Sequence, residues 1–115
     1  MATLGNSDIT ALAERADAVA ARLSLLANGK RLLVLCRLAQ GEASVGELQA
    51  VAGLAQSALS QHLARLREAG VVATRRERQT IFYRIADPQT AAMMAALYDT
   101  FCASDDADAS PEARG

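Results

Sequence analysis

A mainly α-helical domain carrying one small β-hairpin is the fold this sequence predicts, and three observations predict it. Alanine fills 26 of 115 positions while aromatic residues make up 3% and prolines number 2, a composition that favours helices over a β-sandwich. Apolar residues recur at steps of three and four through most of the first 70 positions, the period of helices with one buried face. Between Val71 and Ile85 that period gives way to β-branched and aromatic residues flanking a polar turn, the pattern of a hairpin. A chain of 115 residues suits one core, so a two-domain enzyme is excluded.

The elements follow in order. Leu12, Ala16, Val19, Leu23 and Leu26 give the first 26 residues a narrow apolar seam, suited to packing against a partner helix. Asn28-Gly29 breaks that pattern, and a second helix is predicted from Lys30 to Gln40 with Leu32, Leu33, Leu35, Cys36 and Ala39 facing inward. Ser44-Val45-Gly46-Glu47 is a capping box that opens a short helix running to about Ala52 before Gly53. The next helix spans about Gln56 to Gly70 and turns Leu59, Leu63 and Leu66 to one side. It lacks a capping side chain, because Ala55 precedes it. Strands Val71–Thr74 and Ile81–Ile85 flank the turn Arg75-Arg76-Glu77-Arg78-Gln79, where Arg78 stands at a position that glycine suits. Asp87-Pro88 starts the last helix, with Met94, Leu97 and Phe101 as its stripe, ending near Ala103. Residues 1–103 are predicted to fold, and 104–115 to form a disordered acidic tail.

Charge is segregated rather than absent. The chain carries a net charge of -1, yet residues 65–84 carry +4 and residues 99–115 carry -4, so a basic surface and an acidic end are expected. The longest uninterrupted apolar run, Ala91–Tyr98, is far short of the roughly 20 residues a membrane-spanning helix needs. No secretory leader is read at the N-terminus, and a cytoplasmic location is expected.

Two short helices joined by a tight turn and followed by a basic hairpin form the order of a winged helix-turn-helix. In that arrangement the second helix enters the major groove of double-stranded DNA. Gln56, Ser57, Ser60 and Gln61 would then reach base edges or phosphates, with Gln56 and Gln61 the better base readers. Arg65, Arg75, Arg76, Arg78 and Gln79 would lie along the backbone. His62, about 60° from the leucine face, has a packing or phosphate-contacting role. The opposing reading makes these residues an ordinary solvated face.

From Val45 to Ile85 the chain resembles the DNA-binding core of ArsR-type winged-helix repressors, most specifically in Q-S-x-L-S-x-H-L-x-x-L-R-x-A-G at Gln56 to Gly70. With the preceding LANGKRLLVLCRLAQGE, the similarity extends over about Leu25 to Cys102. The resemblance implies a fold of order α-α-α-α-β-β-α and a homodimer joined through its first and last helices. It also implies an operator-binding repressor with no catalytic site and no cofactor.

Many members of that family sense metals, which takes clustered thiolate, imidazole or carboxylate ligands. The capping-box helix carries no Cys-x-Cys and the last helix no histidine, so no metal site is predicted. The remaining candidates are Cys36 and Cys102, 66 residues apart and outside any CxxC motif. From the residues alone they are either small buried hydrophobes or redox groups. In L-V-L-C-R-L and Y-D-T-F-C they resemble the persulfide-sensing branch of the family. That resemblance implies linkage within one subunit by persulfide or polysulfide inducers, and release from DNA. Arg37 beside Cys36, against Asp99 and Asp105 flanking Cys102, favours Cys36 as first nucleophile. Two alternatives remain: a thiol-disulfide switch for peroxide or general oxidants, and a small thiol enzyme such as a peroxidase or sulfurtransferase. The second lacks a Cys/His/Asp group.

Overall fold

The computed structural model describes residues 4–103. Its elements are α1 (Asn6–Glu14), α2 (Ala16–Leu26), α3 (Gly29–Ala39), β1 (Ala43–Ser44), α4 (Val45–Ala52), α5 (Gln56–Glu68), β2 (Val72–Glu77), β3 (Thr80–Ile85) and α6 (Pro88–Tyr98). A π-helical turn, Asp99–Ala103, continues α6. The expected acidic tail at 104–115 lies outside the described residues. Among those residues, no helix is long and apolar enough to cross a membrane.

The core lies where α3, α4 and α5 meet the sheet. Val34, Leu35, Leu48, Leu59, Leu63, Leu66 and Val71 are fully buried there, each such leucine stabilising the fold by about 1.5–3 kcal/mol. Local chemistry sets the helix ends. Asn28 accepts from the backbone N–H groups of Lys30 and Arg31, both at 3.0 Å, and so caps α3. The expected capping box is formed: Ser44 Oγ accepts from Glu47 N at 3.2 Å, and Glu47 Oε1 accepts from Ser44 N at 2.8 Å. Gly53, at φ 65°, ψ 37°, closes α4 in the left-handed conformation that glycine adopts without a Cβ clash. Ala55 supplies no side-chain cap to α5.

Four expectations need correction. The first helix is two helices, broken at Arg15, whose φ of -116° and ψ of 9° leave the helical region. No glycine or proline marks that break. The inward face of α3 is Arg31, Val34, Leu35 and Leu38, a spacing of i, i+3, i+4 and i+7. Leu33, Cys36 and Ala39 are exposed, and Leu32 is half-buried. The hairpin strands run further than expected, leaving only Arg78 and Gln79 between the paired Glu77 and Thr80; Arg78 does take a positive φ, 59°. Finally, β1 adds a third strand by pairing Ala43 with Tyr83 and Ser44 with Phe82, giving the antiparallel order β1-β3-β2.

Two partly buried polar contacts tie helices together. The Arg31 guanidinium donates to the carbonyls of Leu25 (2.7 Å) and Ser24 (3.3 Å), placing a cation at the carbonyl end of α2. Arg22 of α2 pairs with Asp87, which also accepts from Thr90 Oγ1 at 2.5 Å and Thr90 N at 3.1 Å. Those bonds from Thr90, reinforced by the Arg22 charge, hold the Asp87 carboxyl below the usual carboxylate range. Asp87→Ala removes the α6 cap and the ion-pair partner of Arg22, so we expect a loss of about 2 kcal/mol. Thermal unfolding should register this as a drop of about 10 °C.

Candidate nucleic-acid interface and thiol pocket

Helix α5 offers its exposed side as expected, with Gln56, Ser57, Ser60, Gln61 and Arg65 all solvent-facing. Wing residues Arg76, Arg78 and Gln79 are exposed too. Gln56 at the start of α5 and Gln79 at the wing tip line one cleft beside the capped start of α4. That cleft unites two predicted contact residues 23 positions apart in sequence. Arg76 Nε donates to the Arg78 carbonyl at 3.1 Å and braces the turn.

Arg75 and His62 are engaged inside the subunit. The Arg75 guanidinium makes two 2.8 Å contacts with the Glu42 carboxylate and stacks 4.6 Å from the centre of the Phe82 ring. The pairing lowers the pKa of Glu42 and raises that of Arg75. This geometry fixes the wing to the strand before α4. His62 Nδ1 lies 3.4 Å from an Arg31 nitrogen, so the ring turns towards α3 rather than outward. Burial, then the Arg31 and Arg65 charges, lower the His62 pKa. The unfolded chain therefore takes up the proton near pH 6.5 while the folded protein does so only at lower pH. Stability contributed by neutral His62 is present above that range and lost as pH falls through it. Chemical denaturation at pH 7.5 and 5.5 should show a smaller loss in His62→Gln than in the parent protein.

The two thiols open on one pocket. Cys36 on α3 and Cys102 in the π-helical turn are both exposed, and both line one pocket of about 580 Å³. Its apolar walls come from Ala39, Ala91, Met94 and Ala95, and its polar groups from Gln40, Tyr98 and Asp99. The bland expectation of two buried packing residues fails on exposure. Partial burial raises the Cys36 pKa, and the adjacent Cys102 pushes it the same way. The expected help from Arg37 is absent: its guanidinium donates to the Gly41 carbonyl at 3.1 Å and pairs with Glu47 at 3.4 Å. The preference for Cys36 as first nucleophile thus loses its Arg37 ground, while Asp99 remains in the pocket beside Cys102.

Sequence reasoning missed Arg31 and Glu42. A lone arginine within an apolar run and a lone acid after a glycine carry no signal of their partners, which come from distant elements.

A capped α4, a tight turn, an exposed α5 and a three-stranded wing define a winged helix-turn-helix protein. The chain belongs to the arsR family of bacterial regulatory proteins, whose family model matches residues 28–74. It is 48% identical over 103 residues to the biofilm growth-associated repressor of Agrobacterium fabrum strain C58, covering 90% of this chain and 88% of that protein. The crystal structure of the transcriptional repressor BigR from Xylella fastidiosa superposes with a TM-score of 0.76 at 42% identity, covering 86% of this chain and 98% of that one. A homodimeric winged helix-turn-helix DNA-binding domain from Mycobacterium bovis, solved in solution, gives a TM-score of 0.67 at 32% identity, covering 94% of both chains.

Proposed function

We propose that this protein is a cytoplasmic transcriptional repressor that binds a palindromic operator as a homodimer and is released when sulfane sulfur links Cys36 to Cys102. The shared pocket of the two thiols carries the inducer half of the reading. The exposed face of α5, the arginine-bearing wing and the relatives named as repressors support the other half. On DNA, α5 enters the major groove with Gln56 and Gln61 towards base edges and Ser57 and Ser60 towards bases or phosphates. Arg65, Arg76, Arg78 and Gln79 run along phosphates. Arg75, exposed but paired with Glu42, holds the wing, and half-buried His62 braces α5 against α3.

The chemistry closes without an external oxidant. One cysteine thiolate attacks the sulfane sulfur of an organic persulfide RSSH and expels RS⁻, leaving Cys–S–SH. The second thiolate attacks the cysteine-derived sulfur of that group and expels HS⁻, forming a disulfide. Two thiols lose two electrons; the donor ends as RSH and H₂S. With hydrogen trisulfide, attack at its internal sulfur expels HS⁻ and gives Cys–S–S–SH. Attack of the second thiolate on the middle sulfur then expels another HS⁻ and leaves a trisulfide. A disulfide needs Cα atoms within about 7 Å, and each inserted sulfur extends the reach by about 2 Å.

Titration of DNA carrying inverted half-sites about one helical turn apart tests the reading. Reduced protein should bind, with affinity falling as salt rises. Organic persulfide or trisulfide should weaken binding about 5- to 150-fold, the usual range of allosteric coupling, with intact mass showing linked cysteines. Oxidised glutathione should do little. A plain disulfide formed by peroxide with equal release would favour a general oxidant switch, and turnover of a persulfide donor without DNA would favour an enzyme. Unchanged mass and affinity after persulfide would overturn the sensing mechanism.

A further inference from the structure

We propose that the thiol pocket selects its sulfur donor by charge, with Asp99 as the specificity-determining residue: compact neutral or cationic sulfane-sulfur carriers are accepted and anionic carriers are slowed. The inference rests on the sulfur-sensing reading of the same pocket. Among the described residues, the pocket walls include no lysine or arginine, and Asp99 is their one charged side chain. Arg37, the cation next to Cys36 in sequence, is turned to Glu47 and the Gly41 carbonyl and offers nothing to an incoming anion. Asp99 stands three residues before Cys102 at the C-terminal end of α6. A negative charge there opposes the helix dipole, so helix stability gives no reason for it.

Charge matters at the reacting step as well as on entry. When a cysteine thiolate attacks the sulfane sulfur of RSSH, the electron pair leaves on RS⁻ inside the pocket. A carboxylate on R places a second negative charge beside Asp99, whereas an ammonium on R offsets both. One unit charge at about 4 Å in water changes a rate about fivefold, in opposite directions for a cation and an anion.

The test compares initial rates of sulfur addition, followed by intact mass, for the persulfides of cysteamine, 2-mercaptoethanol and 3-mercaptopropionate at low ionic strength. Leaving-group differences among the donors cancel when each donor's rate ratio is compared between protein variants. So does any general effect of Asp99 on thiol ionisation. Asp99→Asn should lower the cation-to-anion rate ratio about 25-fold, and Asp99→Lys should lower it further, with the ratio of the parent protein shrinking at high salt. All three donors adding sulfur with ratios that neither substitution changes would overturn charge selection and leave sulfur sensing intact. An equal change of all three rates would do the same, reducing Asp99 to a modifier of thiol ionisation. No sulfur added by any donor would overturn both readings.

Discussion

Changing either Cys36 or Cys102 to Ser should abolish the release of operator DNA by organic persulfide while leaving the affinity of the reduced protein within about twofold of the parent. Both thiols are exposed and neither belongs to the buried core, so losing one sulfur removes no packing on which α5 depends. The parent protein should lose affinity by the 5- to 150-fold expected of a coupling of about 1–3 kcal/mol. Each single variant should still gain one sulfur by mass, because an unpartnered thiolate can take a sulfane atom without closing a bridge. A Cys36→Ser variant that still releases DNA would show that linkage is not the signal.

The second large effect concerns assembly. Leu12 and Val19 are 49% and 36% exposed and share a groove with Met93 of α6. Ile9 and Leu23, 54% and 50% exposed, lie on the same two N-terminal helices. Large apolar side chains gathered on a surface mark an interaction site, and here α1, α2 and α6 supply them jointly. The double change Leu12→Glu with Val19→Glu should give a folded monomer by sedimentation, since neither residue lies in the core. Operator affinity should fall about 100-fold or more, as two tethered half-site contacts become one. A double variant that remains dimeric and binds normally would place the interface elsewhere.

Much of this architecture was legible because its signals are local. The capping box at Ser44 and Glu47, the glycine at position 53, the Asp87-Pro88 start and the strand composition after Gly70 each act within a few residues. The phase of α3 was misread because Leu33 and Cys36 are apolar yet exposed in the single subunit. Hydropathy cannot distinguish a core face from a face that lines a pocket or awaits a partner. The break at Arg15 and the two-residue β1 carry no composition cue. Of the candidate site, the exposed side of α5 followed from its leucine phase. The engagement of Arg75 by Glu42 and of His62 by Arg31 depended on tertiary contacts alone.

Helix α3 links the thiol pocket to α5. Arg31 near its start leans on His62 of α5, its middle is gripped by the core through Val34, Leu35 and Leu38, and Cys36 opens on the thiol pocket. Arg31 and Cys36 are separated by five residues, about 7.5 Å along the axis, and close-packed interiors transmit displacement rather than absorb it. Under the proposed linkage, a displacement at the sulfur end of this rod would be carried to α5 as a tilt of the whole lever. Such a transfer would need no local melting, only the stiffness of the core around Val34, Leu35 and Leu38.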